Sequence, residues 1–204
     1  TGGGLPLLAA ALLVAVSLWP LPGNAAVLLS SVAVLTLLSW LDDLIGLPSA
    51  LRLLVQLAVT AAAIMVLPEH ALVFQGALPL GADRLLAGIA LLWFINLYNF
   101  MDGIDGIAGV ETVSITLGYA LVLYAAGQLA GAPLVPLAIA IAGASIGFLS
   151  WNWHPARIFM GDVGAVPLGF LTGWLMLDLA VTGQLAAALI LPLYFAADAT
   201  ITLL

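Results

Sequence analysis

The sequence predicts an all-α fold: a polytopic membrane helical bundle with about eight spans in this chain. Three observations carry that prediction. Of 204 residues, 65% are hydrophobic and only 6% are charged, whereas a soluble globular domain carries about 25% charged residues. The mean hydropathy is +1.28. Apolar runs fill almost the whole length, and they are continuous rather than alternating as the strands of a membrane barrel do. Lipid offers no partner for backbone N–H and C=O groups, so continuous apolar runs must be helices. One crossing of the hydrocarbon core takes about 20 helical residues.

The runs fall at 5–21, 25–41, 50–67, 85–101, 107–127, 133–150, 164–182 and 184–204. The first closes on Pro20-Leu-Pro22-Gly23, and the second on Asp42-Asp43 with Gly46-Leu-Pro48 behind it. The third stops at Pro68, and the fourth opens after Gly81. Asp102 to Gly106 separates the fourth from the fifth. Gly131-Ala-Pro133 starts the sixth, and His154-Pro155 lies beyond its end. The last two occupy the remaining apolar sequence. With no soluble insertion, low-complexity tract or internal repeat, residues 1–204 read as a single transmembrane domain.

Ten Asp and Glu face three Arg and no Lys, for a formal charge of −7. That balance excludes a basic nucleic-acid-binding face. Without Cys there is no disulfide framework, thiolate chemistry or Cys metal site. Thr1-Gly-Gly-Gly has no Met and no charged region before its apolar run, so no signal peptide is read, and Leu203-Leu204 ends inside an apolar run. Both ends look cut, as in a fragment of a longer protein.

Alternation of spans then places the polar groups. If Thr1 starts on side A, the even spans return there with Asp42-Asp43, with Asn96 through Asp105, and with Asn152 through Asp162. Glu69, Asp83 and Asp178 fall to side B. Arg52 and Arg157 are on side A and Arg84 on side B, too few to orient the protein by the positive-inside rule.

The first cluster, Trp40-Leu-Asp42-Asp43-Leu-Ile-Gly-Leu-Pro48, sets adjacent carboxylates at a membrane edge. They could polarise a substrate or hold a cation, or they could be a solvated helix end. Gly46 stands where a prenyl synthase would have a third Asp. In the second cluster, Asn96, Asn99, Asp102 and Asp105 recur every three residues and sweep one side of a helix end into a pocket mouth. Neither an EF-hand spacing nor the Asp-Gly-x-x-Ala-Arg of CDP-alcohol transferases is present. In the third, Asp162 sits between Gly161 and Gly164 at the start of an apolar helix, where N–H groups attract phosphate. There a carboxylate can share Mg²⁺ with substrate phosphates. Asn152 and Phe159 could hydrogen-bond and stack a base, while Trp151 and Trp153 suit the interfacial aromatic belt. His154 reads as a loop histidine and His70, on side B, as inert.

Leu41-Asp-Asp-Leu-Ile-Gly-Leu-Pro, Asn96-Leu-Tyr-Asn-Phe-Met-Asp-Gly-Ile-Asp-Gly-Ile-Ala-Gly and Phe159-Met-Gly-Asp-Val-Gly together resemble the polyprenyl-phosphate N-acetylhexosamine-1-phosphate transferases, glycosyltransferase family 4. Asn96-Leu-Tyr-Asn-Phe-Met looks like the branch that initiates O-antigen or teichoic acid with a GlcNAc-type sugar. The resemblance implies ten or eleven helices in the whole protein, an active site on the cytoplasmic side, and a bacterial inner (plasma) membrane location. It implies transfer of HexNAc-1-phosphate from a UDP-N-acetylhexosamine to undecaprenyl phosphate, with release of UMP and with Mg²⁺ (or Mn²⁺) as cofactor. By motif match Asp162 is a metal ligand, with Asn99 beside it. Asp42, Asp43, Asp102 and Asp105 are the catalytic carboxylates. Asn96, Asn99, Asn152, Phe159 and Arg157 belong to the substrate site. The partners are the two substrates and the lipid bilayer; a homodimer is allowed. Ala165 stands where the family commonly has Ser after Gly164.

The resemblance also places basic residues before Thr1 and a His- and Arg-rich loop after Leu204. Residues 1–204 alone are therefore expected to insert in membranes without transferring sugar phosphate. A proton-coupled secondary transporter is the alternative from another class, favoured by Asp198 within an apolar run and by Gly- and Pro-interrupted helices. A non-catalytic truncated fragment is the other.

Overall fold

The computed structural model describes residues 2–18 and 25–203. The Pro20-Leu-Pro22-Gly23 breaker and the close of the first run lie outside those residues. Nine α-helices form the described regular structure, with a 3₁₀ turn at Leu129–Gly131 and a π turn at Ala180–Gln184. In order they are α1 Gly4–Leu18, α2 Ala25–Ile45, α3 Ser49–Met65, α4 Leu80–Met101, α5 Ile107–Ala125, α6 Val135–Asn152, α7 Asp162–Leu179, α8 Leu185–Ile190 and α9 Leu193–Leu203. Five helical stretches are long and apolar enough to cross a membrane: α2, α4, α5, α6, and α7 with its continuation to Ile190. The apolar α1 and α3 are shorter, at 15 and 17 residues.

The fold is organised around α7. Every residue from Val163 to Leu177 is buried, and α4, α2, α5 and α1 pack around it. A helix wrapped on all sides must be apolar all round, which is how α7 reads. Its entry depends on one close approach. A Cβ added at Gly164 would sit 2.5 Å from the Gly4 Cα, and one at Gly4 would sit 2.2 Å from the Gly164 Cα. The start of α1 therefore rests directly on the backbone of α7. It is fixed there by Gly3 N–H to Phe159 C=O at 3.0 Å and Gly4 N–H to Met160 C=O at 3.2 Å.

The stretch 184–204, which the sequence presents as one span, is divided. Gly183 takes φ 93° and turns the chain out of α7, and α8 then lasts six residues. Pro192, which has no N–H to continue the ladder, follows in a turn before α9 begins. The helix α9 packs on α4.

Short connections fix the polar ends. The α2–α3, α4–α5 and α6–α7 connections all lie at one end, as the alternation of spans requires. At the other end the buried Asp83 carboxylate accepts the N–H groups of Val73 (3.1 Å) and Phe74 (2.8 Å), which anchors the 66–79 connection. Tyr119 O–H donates to Asp178 at 2.6 Å. Both acids serve the fold there.

Candidate functional site

At the end of α2 the chain must reverse into α3 within three residues. Gly46 takes φ 66°, a conformation closed to most side chains, and its N–H donates to Asp42 C=O at 2.8 Å. Asp42 Oδ1 then accepts Leu47 N–H at 2.7 Å. Its other oxygen, Oδ2, accepts Arg52 Nη1 at 2.6 Å from the first turn of α3. The Asp-Asp motif thus uses its first carboxylate to shape the turn and to aim an arginine. Asp43, next in sequence, is exposed and does not line the cleft described below.

Arg52 reaches across to α7 as well, with Nη1 at 3.8 Å from Asp162 Oδ2. Around this pair lies a cleft of about 270 Å³ between α2, α3, α4 and α7. Its polar lining includes Asp42, Arg52, Gln56, Asn96, Asn99 and Asp162. Leu38, Leu53 and Val166 supply apolar wall. Asn99 Oδ1 is buried and has no hydrogen-bond partner, an acceptor left open beside an acidic group. An orphaned carbonyl oxygen is costly unless something binds it.

Asp102 closes the end of α4 next to this cleft. Burial pushes its carboxyl up to about 7; the Gly161 backbone N–H pulls the other way, and the charge of Asp162 adds to the rise. The sequence brings Asp102 and Asp162 to one end of the bundle, and the structure sets them within electrostatic reach of one another.

Asp102 borders the cleft without lining it, and Asp105 does not line it either. Its carboxylate accepts Ala156 N–H at 3.0 Å and meets His154 Nδ1 at 3.0 Å. The Ala156 N–H, helped by His154, holds it below the ordinary carboxylate range. Asp105 lies in the turn between α4 and α5 and tethers the α6–α7 connection. Asn152 is likewise spent on the fold. Oδ1 accepts Gly106 N–H at 2.9 Å, and Nδ2 donates to Ile158 C=O at 2.8 Å. A base would have to displace one of these bonds. Phe159 and Arg157 are exposed on that connection and do not line the cleft.

Among the polar cleft residues, Arg52 was placed on side A from the sequence but given no role in the site, and Gln56 was not singled out. Arg52 is the only cation on α3, ten residues after Asp42, and Gln56 is an amide one turn further into an apolar run. A polar group recurring at i, i+4 in such a run was the available signal.

The residues present suit a hard divalent cation. Asp162 and the orphaned Asn99 Oδ1 offer oxygen ligands, with Asp102 beside them. Among the described residues no three Asp, Glu or His side chains converge as a closed cage. An open, oxygen-poor set is what Mg²⁺ shares with substrate phosphates.

Comparison with known sequences decides the family. The family model described as "Glycosyl transferase family 4" matches residues 25–180. The chain belongs to glycosyl transferase family 4. The matched segment runs from the start of α2 through α7, so it contains all three motifs and the cleft they build. Among relatives, a phospho-N-acetylmuramoyl-pentapeptide-transferase from Moorella thermoacetica is 43% identical over 91 residues. That alignment covers 45% of this chain and 28% of the relative's length.

Proposed function

We propose that this member of glycosyl transferase family 4 transfers N-acetylhexosamine-1-phosphate from a UDP-sugar to undecaprenyl phosphate. The products are UMP and a lipid-diphosphate-linked sugar that initiates cell-envelope glycan synthesis. The site would face the cytoplasm at a bacterial inner membrane. The observation that carries this proposal is the meeting of Arg52, Asp162 and the unpartnered Asn99 Oδ1 in one cleft at the polar end of the bundle. The Moorella relative is named for a MurNAc-pentapeptide substrate; the Asn96-Leu-Tyr-Asn-Phe-Met sequence favours a GlcNAc-type donor here.

An oxygen of the lipid phosphate attacks the β-phosphorus of the UDP-sugar. The bond between that phosphorus and the bridging oxygen breaks, and the electron pair leaves on UMP. Phosphoryl transfer of this kind is governed by positioning and by stabilising charge. Arg52 supplies a fixed cation, held by Asp42 in a charge-assisted bond so that its guanidinium points into the cleft. Asp162, Asn99 and Asp102 would hold Mg²⁺, which when bound neutralises diphosphate charge. A phosphate monoester has a second pKa of about 6, so the acceptor is largely dianionic near neutrality and needs no strong base.

The test is UMP release from UDP-GlcNAc by the protein at its natural length, with and without undecaprenyl phosphate. Release should require the lipid and Mg²⁺. Asp162→Asn should lower turnover by about 10²–10³-fold, the usual cost of losing one electrostatic partner of a transition state. Near-normal turnover by Asp162→Asn at the same Mg²⁺ concentration would remove the metal assignment.

A further inference from the structure

We infer that the Tyr98 hydroxyl positions the carboxylates of the proposed transfer: bonded to α5, it clasps the ends of α4, α5 and α7 together and so sets where Asp102 stands against Asp162. The inference rests on the function proposed above. It makes Tyr98 and Thr112 positioning residues, both fully buried and outside the cleft lining.

Three other helices meet α4 at the Tyr98 side chain. A Cβ added at Gly169 of α7 would sit 2.9 Å from the Tyr98 Cβ and 3.2 Å from the Ile95 Cα, so the α7 backbone lies directly on α4 there. The Phe195 ring of α9 meets the Tyr98 ring edge-on, with centroids 5.4 Å apart. The hydroxyl reaches α5, where it bonds to Thr112 Oγ1 and lies 3.1 Å from Ala108 C=O. The O–H of Thr112 donates to the same Ala108 C=O at 2.7 Å.

Packing alone does not ask for that oxygen. A Phe ring would fill the same space, and a hydroxyl buried in a membrane bundle is costly unless it is bonded. The protons follow from the partners. Ala108 C=O only accepts, so Thr112 spends its hydrogen there and its oxygen is left to accept Tyr98. The two hydroxyls form one chain from α4 to the first turn of α5.

That chain spans the Asp102-Gly-Ile-Asp105-Gly turn. Asp102 follows Tyr98 by four residues, one turn further along the same face of α4. Asp162 opens α7 seven residues before Gly169, about two turns away. The two carboxylates therefore stand on helix ends that are joined below them at a single side chain. Without the hydroxyl the ring still packs on α7 and α9, but the bond that fixes the start of α5 against α4 is gone. The turn that begins at Asp102 is then free to shift, and a misplacement of about 1 Å at a reacting centre can cost about 10²-fold in rate.

A bond that served folding alone would look the same in the structure, so site and stability must be measured separately. Tyr98→Phe removes the hydroxyl and keeps the ring. Thr112→Val removes the acceptor and keeps the shape, leaving Tyr98 only Ala108 C=O to bond. Thr112→Ser keeps the chain. Each is measured in the protein at its natural length for kcat with UDP-GlcNAc and undecaprenyl phosphate and for the Mg²⁺ concentration giving half-maximal turnover. The rise in thermal midpoint on adding Mg²⁺ is the third reading. Loss of one neutral hydrogen bond is worth about three- to tenfold. Tyr98→Phe should lower kcat per folded molecule and raise the half-activating Mg²⁺ concentration by that factor, and its midpoint should rise less with Mg²⁺. Thr112→Val should do the same to a smaller extent. The double variant should lose no more than Tyr98→Phe, and Thr112→Ser should match the unsubstituted protein. A lower midpoint in Tyr98→Phe with kcat and Mg²⁺ response unchanged would overturn the inference, as would additive losses in the double variant. If Tyr98→Phe fails to fold, Thr112→Val decides on the same readings. An unsubstituted protein that neither turns over UDP-GlcNAc nor responds to Mg²⁺ would remove the proposed function, and this inference with it.

Discussion

Asp102 shows how environment sets a residue's task. Its carboxyl is raised from an ordinary 3.8 to about 7 by burial, with Asp162 adding to the rise. A folded-state value above the unfolded one means the proton is held more tightly in the native protein. The stabilisation from that proton is complete below 3.8 and is lost as pH rises through about 7. Without divalent cation, the thermal midpoint should therefore fall between pH 4 and pH 8, and Asp102→Asn should flatten that part of the slope. An unchanged slope in Asp102→Asn would mean that this carboxyl is not the group responsible. Asn152 gives a second check. Truncation to Ala orphans the buried Gly106 N–H, at a cost of about 1–3 kcal/mol, and frees the part-buried Ile158 C=O. The thermal midpoint of Asn152→Ala should drop, whereas a residue that only reads a base would raise KM at constant stability. The residue types at this end of the bundle were legible in the sequence, but their division of labour was not. Asp102 and Asp105 are three residues apart and carry the same side chain. Only the packed loops show that one faces Asp162 and the other Ala156.

Among the elements, α7 bears the most constraint. Its N-terminus carries Asp162, and two residues later Gly164 lies against the Gly4 backbone. Backbone cannot yield as a side chain does, so Gly164→Ala must push α1 and α7 apart. Overpacking of this kind costs about 1–3 kcal/mol, and the shift lands within one turn of Asp162. Gly164→Ala should lower both the thermal midpoint and turnover. The same change at Gly143, where an added Cβ meets nothing within 4 Å, should leave both near normal. If Gly164→Ala were silent in both assays, the crossing would not set the position of Asp162. Helix identity was readable from apolar runs because lipid permits little else. The division of 184–204 into α8 and α9 was less readable. Hydropathy alone is blind to a Gly183 that adopts positive φ and weighs one Pro192 too lightly against the apolar residues around it.

At the scale of the whole molecule, chain alternation does what composition does not. Helices α2, α4 and α6 end on the same side, where α3, α5 and α7 begin, so motifs more than a hundred residues apart meet in one cleft. That convergence could be read from counting spans, and it links a −7 chain to the proposed reaction between anions. Counting also places Arg52 on side A; what it could not supply is that Arg52 enters the cleft, an aim that depends on the Asp42 turn. The central claim is that this cleft moves a sugar together with its phosphate. UDP-GlcNAc labelled with ³²P at the β-phosphate tests it most directly, in membranes bearing the protein at its natural length and supplied with undecaprenyl phosphate and Mg²⁺. The account predicts ³²P in the lipid extract and unlabelled UMP in the aqueous phase, both lost in Asp162→Asn. Label that stays in the aqueous phase as UDP, or lipid that gains sugar without ³²P, would contradict it.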